Sequence, residues 1–453
     1  MSDFDTFYGS NPWANLDKNE RRWYDPNLVE LYRQRSVFSG TIPFAKDMKS
    51  KRSRTMTITQ LLDVHPDSSP LSMRQLWMPA AHIDSRAVEV TFNRYGGKVA
   101  FHEFDDLITY WKKDNKAGIR RILNGALGHH MIDVLDILAR NAYIKGALDS
   151  GFNLMSGGGI DFSALGTADV FDPKVAMDVW LGMSYRDVPA AQGVNGAGAS
   201  ILAYTSPGVI HDIQGDESYK AAVEYANPKM ATKYEAGAYK NVRFQQTPKC
   251  TLYNCGEIIA RAPVSVAISA GDGSPDPTAT KVDGTYMVGQ DGMTHYITLG
   301  TFTTGLIDDL AVGDVISIHA STTSAWGVTD GVNFQEGKLH NLRIVSIDTD
   351  NGRLAFDRPV MVDFTTDLGG GTFAYITKGR HIHTTIFVAA PTGLVSGIAV
   401  PPRTHTPPPV DDFESIYRFS WDAYLGHQLY QPEVFEVVFS AGSFRYKGNK
   451  VIQ

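Results

Sequence analysis

The chain has 453 residues, of which 43% are apolar and 20% charged. That composition excludes a disordered chain and leaves room for roughly three domains at about 150 residues each. A net charge of −7 speaks against a dedicated nucleic-acid reader, which is usually strongly basic. Two cysteines, Cys250 and Cys255, exclude a disulfide framework and a cysteine-rich zinc site.

The start, Met-Ser-Asp-Phe-Asp, lacks the basic and apolar regions of a secretory signal and points to synthesis in the cytoplasm. Residues 1–54 form an arm rather than a domain. Phe4, Phe7, Tyr8, Trp13, Trp23 and Tyr24 lie without period between Asn11-Pro12, Asp25-Pro26 and Ile42-Pro43. One short helix is predicted from Asn27 to Gln34, because Leu28, Leu31 and Tyr32 share a face. Such an arm has to bury its aromatics on its own body or on a neighbour. From residue 31 to 54, Arg33, Arg35, Lys46, Lys49, Lys51, Arg52 and Arg54 face a single acid, Asp47. The strip is either a solvated face or a contact for an acidic neighbouring surface or nucleic acid.

Residues 55–105 read as a long two-stranded excursion. Thr55 to Thr59 and Val88 to Phe92 alternate, with Pro66, Pro70 and Pro79 between them; Arg94-Tyr-Gly-Gly-Lys98 reads as a turn before the strand Val99-Ala-Phe. Residues 106–155 hold the clearest helix. Ile119, Ile122, Leu123, Ala126, Leu127, Met131, Val134, Leu135, Leu138 and Ala142 recur at threes and fours. The periodicity predicts a helix from about Asn115 to Leu148, on the order of 50 Å long. Residues 156–263 alternate: helices open at Asp172-Pro173 and Ser206-Pro207 and a third covers Asp216 to Tyr225. Strands are predicted at Ile201 to Tyr204, Val242 to Phe244 and Cys250 to Tyr253.

Residues 264–378 show no helical period, and fourteen acids stand against six bases. Strands are predicted at Val312 to His319, Leu339 to Asp348 and Arg353 to Val362, with Asp350-Asn351-Gly352 as a tight hairpin turn between the last two. This block reads as a small β-barrel or β-sandwich inserted in the preceding domain, because apolar strands resume at Thr385 to Ala390 and Phe435 to Phe439. Pro401-Pro402 and Pro407-Pro408-Pro409 predict a stiff connector. The stretch Thr384 to Val400, broken by Pro391, Gly393 and Gly397, is no membrane span.

Catalytic signatures are absent. His381 and His383 fall on one side of a strand at a spacing that can hold a metal, yet no third ligand stands at a telling distance, so they read as solvent-facing. His129 and His130 point about 100° apart on the long helix and read as a surface or interface pair. Gly193-Val-Asn-Gly-Ala-Gly198 lacks the order of a phosphate loop. The pairs Asp105-Asp106, Asp308-Asp309 and Asp411-Asp412 read as solvated loop acids. No catalytic, cofactor or metal residues are therefore expected.

Three passages carry a resemblance: Asn93-Arg-Tyr-Gly-Gly-Lys-Val-Ala-Phe-His-Glu-Phe-Asp-Asp, Gly128-His-His-Met-Ile-Asp-Val-Leu-Asp-Ile-Leu-Ala-Arg-Asn, and Pro207-Gly-Val-Ile-His-Asp-Ile-Gln-Gly-Asp-Glu-Ser-Tyr with Glu235-Ala-Gly-Ala-Tyr-Lys-Asn-Val-Arg-Phe. With the order of parts, they resemble the major capsid proteins of tailed bacteriophages, of the fold named after phage Hong Kong 97, and within them the Enquatrovirus-like coat-protein branch. The resemblance, which covers about residues 30–260 and 380–440, implies an α+β fold: an N-terminal arm (1–54), an extended loop with peripheral-domain strands (55–105), a spine helix (106–155), an axial domain (156–263 and 379–412) and a peripheral return (413–453), with the β-rich insertion (264–378) outside the matched passages. It further implies homo-oligomeric hexamers and pentamers in a virion shell around double-stranded DNA contacted non-specifically. A separate scaffolding protein, a portal and a decoration protein would be partners, and assembly would occur in the bacterial cytoplasm without a membrane. Arg33, Arg35, Lys49, Lys51, Arg52 and Arg54 are the candidate inter-subunit contacts. A β-rich tail or adhesion protein forming rings or trimers is the alternative, and a metal hydrolase using His381 and His383 a third.

Overall fold

A computed structural model describes residues 38, 44–47, 54–62, 64, 83–102, 118–158, 162, 165–166, 168–188, 201–217, 235–239, 241–253, 255, 258–264, 296–298, 310–319, 342–348, 353–356, 374–379, 381–389, 393–406 and 416–442. The readings on residues 27–34, 193–198, 218–225, 350–352 and 407–409 and on the three Asp pairs lie outside the described residues.

In chain order come strands β1 (Phe44–Asp47), β2 (Thr55–Leu61), β3 (Ser85–Thr91) and β4 (Asn93–His102), helix α1 (Gly118–Ser150), strand β5 (Asn153–Met155), helix α2 (Pro173–Tyr185), strand β6 (Ile201–Thr205) and helix α3 (Pro207–Gly215). Strands β7 (Glu235–Tyr239), β8 (Val242–Gln246), β9 (Thr251–Leu252), β10 (Ile258–Val264), β11 (Tyr296–Thr298), β12 (Val315–His319), β13 (Leu342–Asp348), β14 (Arg353–Phe356) and β15 (Ala374–Gly379) follow. The chain continues through β16 (Ile382–Val388), β17 (Leu394–His405), β18 (Ile416–Leu429) and β19 (Phe435–Ser440). Two compact units result. One holds β1 to β4, α1 as far as Gly146, β17 and β18; the other holds the end of α1, β5 to β16 and β19.

In the first unit the sheet order is β1-β17-β18-β4, with β1 parallel to β17 and the other pairs antiparallel. Alternate residues of β18 face α1: Trp421, Ala423 and Leu425 pack with Leu127, Met131 and Leu135 of the helix. The expected helix is present, and its apolar stripe is what the sheet covers.

The expected turn at Arg94–Lys98 is not there. β4 runs unbroken through it, with Gly96 opposite Asp422 and Gly97 opposite Trp421. Both glycines answer to close packing: a Cβ on Gly96 would lie 2.5 Å from the Trp421 carbonyl oxygen, and one on Gly97 2.8 Å from the His130 ring. Because the obstacle at Gly96 is backbone, Gly96→Ala should destabilise this unit by about 1–3 kcal/mol, read as a lower urea midpoint.

Pro401-Pro402 also differs from the connector expected of it. It lies within β17, where the register on β18 shifts between Ile398 and Val400 and again between Val400 and Arg403. Proline has no N–H to give a ladder. β1 pairs only with Val395–Ile398, so the prolines fall where β17 has no ladder to β1.

The second unit has a sheet in the order β5-β19-β16-β6-β8-β7, with β9 also on β16. Asp172 caps α2 by accepting from the Lys174 N–H (2.9 Å), Pro173 opens it, and Ser206 and Pro207 do the same for α3. These caps satisfy otherwise orphaned donors. Val179 and Met183 of α2 and Val209 and Ile213 of α3 then bury against Ala203, Phe244 and Phe387 of the sheet. Strand pairing thus groups residues 394–405 with β4 and β18, and 435–440 with β16, where the chain-order expectation groups 379–412 and 413–453 the other way. Between β9 and β16 the described strands make an antiparallel sheet of their own, β10-β15-β12-β13-β14-β11. The predicted hairpin pairing is present, with Asp348 opposite Arg353.

Candidate interaction surface

β2 and β3 pair from Thr55↔Thr91 to Leu61↔Ser85, and the Leu62 N–H continues the ladder to the Asp84 carbonyl (2.9 Å). Among the described residues, the root of this hairpin is seated. Met56, Ile58, Val90 and Phe92 are buried with Val395 of β17. Gly397 and Gly426 face the hairpin, where added side chains would collide with Phe92 and with the Thr91 carbonyl. Arg86 ties the middle down, donating to Gln60 Oε1 (2.9 Å) and to the Tyr430 carbonyl (2.8 Å).

Beyond that tie four described aliphatic residues are open to solvent. Leu61 is 73% exposed, Ile83 57%, Val64 44% and Leu62 41%. A two-stranded hairpin has no second layer to bury such residues, and neighbouring exposed aliphatics mark an interaction site. The alternation of Thr55 to Thr59 and Val88 to Phe92 predicts the strands but not these exposed aliphatics; the Leu61-Leu62-Asp63-Val64 run ahead of Pro66 is the signal available for them.

Of the sequence-predicted contacts, Arg33, Arg35, Lys49, Lys51 and Arg52 lie outside the described residues. Arg54 is exposed at the foot of β2, where its carbonyl accepts from the Phe92 N–H (3.0 Å).

The histidines are not solvent-facing as expected. His381 stands just before β16 with its ring against the edge of Tyr253 (centroids 4.9 Å apart). His383 Nδ1 shares a 2.7 Å hydrogen bond with Ser206 Oγ. Both are half-buried: His381 by the Tyr253 ring, and His383 by the chain at Gly208 and Gly442, which press on its ring. Burial, and then the neighbouring His383, lower the His381 pKa to about 4. Burial also lowers His383, outweighing the opposing pull of Asp212. Among the described residues no three His, Cys, Asp or Glu are arranged to hold a metal ion. His129 and His130 are exposed, and His130 Nδ1 accepts from the Trp421 indole N–H (3.2 Å). No helix among the described residues is long and apolar enough to cross a membrane.

No protein-family model and no curated protein matches the chain. Among solved structures it is similar to a chain of the cyanophage Pam1 capsid asymmetric unit, at 12% identity and a TM-score of 0.51, over 95% of this chain and 99% of that one. A chain of the capsid of Ralstonia phage GP4 aligns at 10% identity and a TM-score of 0.49, over 96% and 98%. At such identity the likeness to the Pam1 chain is one of fold, and it leaves almost nothing of either chain outside. The chain shares the fold of the cyanophage Pam1 capsid chain, a mixed α+β architecture.

Proposed function

We propose that this chain is the major capsid protein of a tailed double-stranded DNA bacteriophage, building an icosahedral shell from hexamers and pentamers around the genome. The observation that carries this is the fold shared with the Pam1 capsid chain over nearly the whole of both chains. The β2–β3 hairpin supports it, because Leu61, Leu62, Val64 and Ile83 are exposed on it. On a neighbouring copy, each leucine there would contribute about 1.5–3 kcal/mol on full burial. The role is structural, not enzymatic. Residues 55–105 serve as the extended loop, α1 as the spine, 156–263 as the first part of the axial domain and 264–378 as an insertion. The basic strip from Arg33 to Arg54 contacts a neighbour. A separate scaffolding protein and portal, and a decoration protein, complete the virion assembled in the bacterial cytoplasm, and the coat belongs with the Enquatrovirus-like branch.

Electron microscopy of the expressed full-length chain tests this. Closed particles or six- and five-fold capsomers are expected; trimers or small rings would favour a tail or adhesion component, and a strictly monomeric chain would refute the shell. The double variant Leu61→Ser, Leu62→Ser should leave the urea midpoint of the monomer nearly unchanged, within about 0.5 kcal/mol. Sedimentation should meanwhile show assembly reduced at least tenfold.

A further inference from the structure

The face of the first unit's sheet turned away from α1 carries a concentration of positive charge. Strand register fixes it. Gly96, Asp422 and Arg403 lie in one row across β4, β18 and β17; Lys98, Ser420 and His405 lie in the next; Arg94, Tyr424 and Val400 lie on the other side. Arg418 falls on the same face by the two-residue alternation of β18. Among these positions Asp422 is the sole carboxylate, set against Arg94, Lys98, Arg403 and Arg418, with His405 beside them.

Asp422 is buried and acts as the anchor. Its Oδ1 accepts from Arg403 Nε (2.8 Å) and His405 Nε2 (2.7 Å), and Arg94 approaches Oδ2 at 3.2 Å. The Arg403 hydrogen bond, ahead of the His405 bond and the charges of both, holds the Asp422 carboxyl well below the usual carboxylate range. The carboxylate therefore stays ionised and pins the cations without cancelling them. Arg94 is 66% exposed, lies over the Tyr424 ring (5.6 Å) and keeps donors free toward solvent; Lys98 is exposed beside it. A surface held this way loses little rotamer entropy when it binds a second set of charges.

We propose that this basic face is a docking surface for the acidic β-rich segment 264–378 of a second copy of the chain. Charge complementarity identifies the occupant. That segment carries fourteen acids against six bases, and every copy supplies one segment and one face in equal number. Retention of a duplex nucleic acid by this face is the competing outcome of the test. The inference rests on the proposed self-assembly.

The test uses the full-length chain. Light and heavy-isotope copies are mixed, allowed to assemble, treated with a zero-length carbodiimide and digested. Light-to-heavy links from Lys98 to carboxylates within 264–378 are expected. In Lys98→Glu, sedimentation at low salt should show assembly weakened at least tenfold while the monomer's thermal midpoint holds; in wild type, added salt should weaken assembly in the same direction. Lys98 links confined to one isotope or to carboxylates outside 264–378 would overturn the inference. So would assembly indifferent to the charge reversal, or charge reversal that abolishes retention of a labelled DNA duplex while leaving assembly intact. A chain that never self-associates refutes the shell and the inference together; a chain that assembles indifferently refutes the inference alone.

Discussion

Lowering the pH from 6.5 to 4 should cost the fold about 3 kcal/mol through His427 alone. Its pKa is lowered to about 4 by burial, and both ring nitrogens are buried without a hydrogen-bond partner among the described residues. The alternation that aims Trp421, Ala423 and Leu425 at α1 places His427 on the same face of β18. The sign follows from the direction of the shift. Between pH 4 and 6.5 the unfolded chain binds a proton that the folded chain refuses. The contribution is thus complete above about pH 6.5 and is lost as the pH falls toward 4. His381, also near 4, pulls the same way in the other unit. Urea midpoints at pH 7 and pH 4.5 measure the sum, with the change at His427→Leu giving its share. That variant should match or exceed wild type at pH 7, since an apolar side chain removes two unsatisfied buried atoms, and should be flatter with pH. An unchanged slope would show that His427 does not titrate as buried.

Trp421→Ala should destabilise the first unit by about 3–5 kcal/mol, the range for removing a buried tryptophan. The side chain is fully buried against Leu127 and its neighbours on α1, and its indole N–H is engaged by His130. A hole there separates the helix from the sheet it covers. Trp421→Phe, which retains most of the apolar volume and loses the indole N–H, should cost less than half as much. His130→Ala should cost under about 1 kcal/mol, because that ring is exposed. Denaturant unfolding followed by tryptophan fluorescence and by circular dichroism separates the three. Equal losses in all three would mean that the hydrogen bond, not the packing, holds the contact.

What was legible in the sequence was legible for local reasons. The apolar repeat of α1, the Asp-Pro and Ser-Pro helix starts and the alternation of β2 and β3 each need only neighbouring residues, and the structure has all of them. The failures are long-range. A Gly-Gly pair flanked by Arg and Lys reads locally as a turn; what makes it a strand is Trp421, more than 300 residues away, pressing on it across the ladder. His381 and His383 read as solvent-facing because alternation cannot say that Ser206, Gly208 and Gly442 close over one ring and Tyr253 over the other. The basic face was invisible for the same reason: Arg94 and Lys98 share a strand, but Arg403, His405 and Asp422 join them only when register brings three strands together. The first basic strip, by contrast, stood out because its charges are contiguous.

The pairing of β10 with β15 has a practical consequence. Val264 and Ala374 are direct cross-strand partners, so the two ends of the segment 265–373, which adds β11 to β14 to the same sheet, meet side by side. A foreign sequence spliced between those residues meets ends already held about 5 Å apart, and each doubling of its length adds only about 0.6 kcal/mol of closure entropy. A foreign segment exchanged for 265–373 would thus start from paired ends, and its closure cost would rise only slowly with its length.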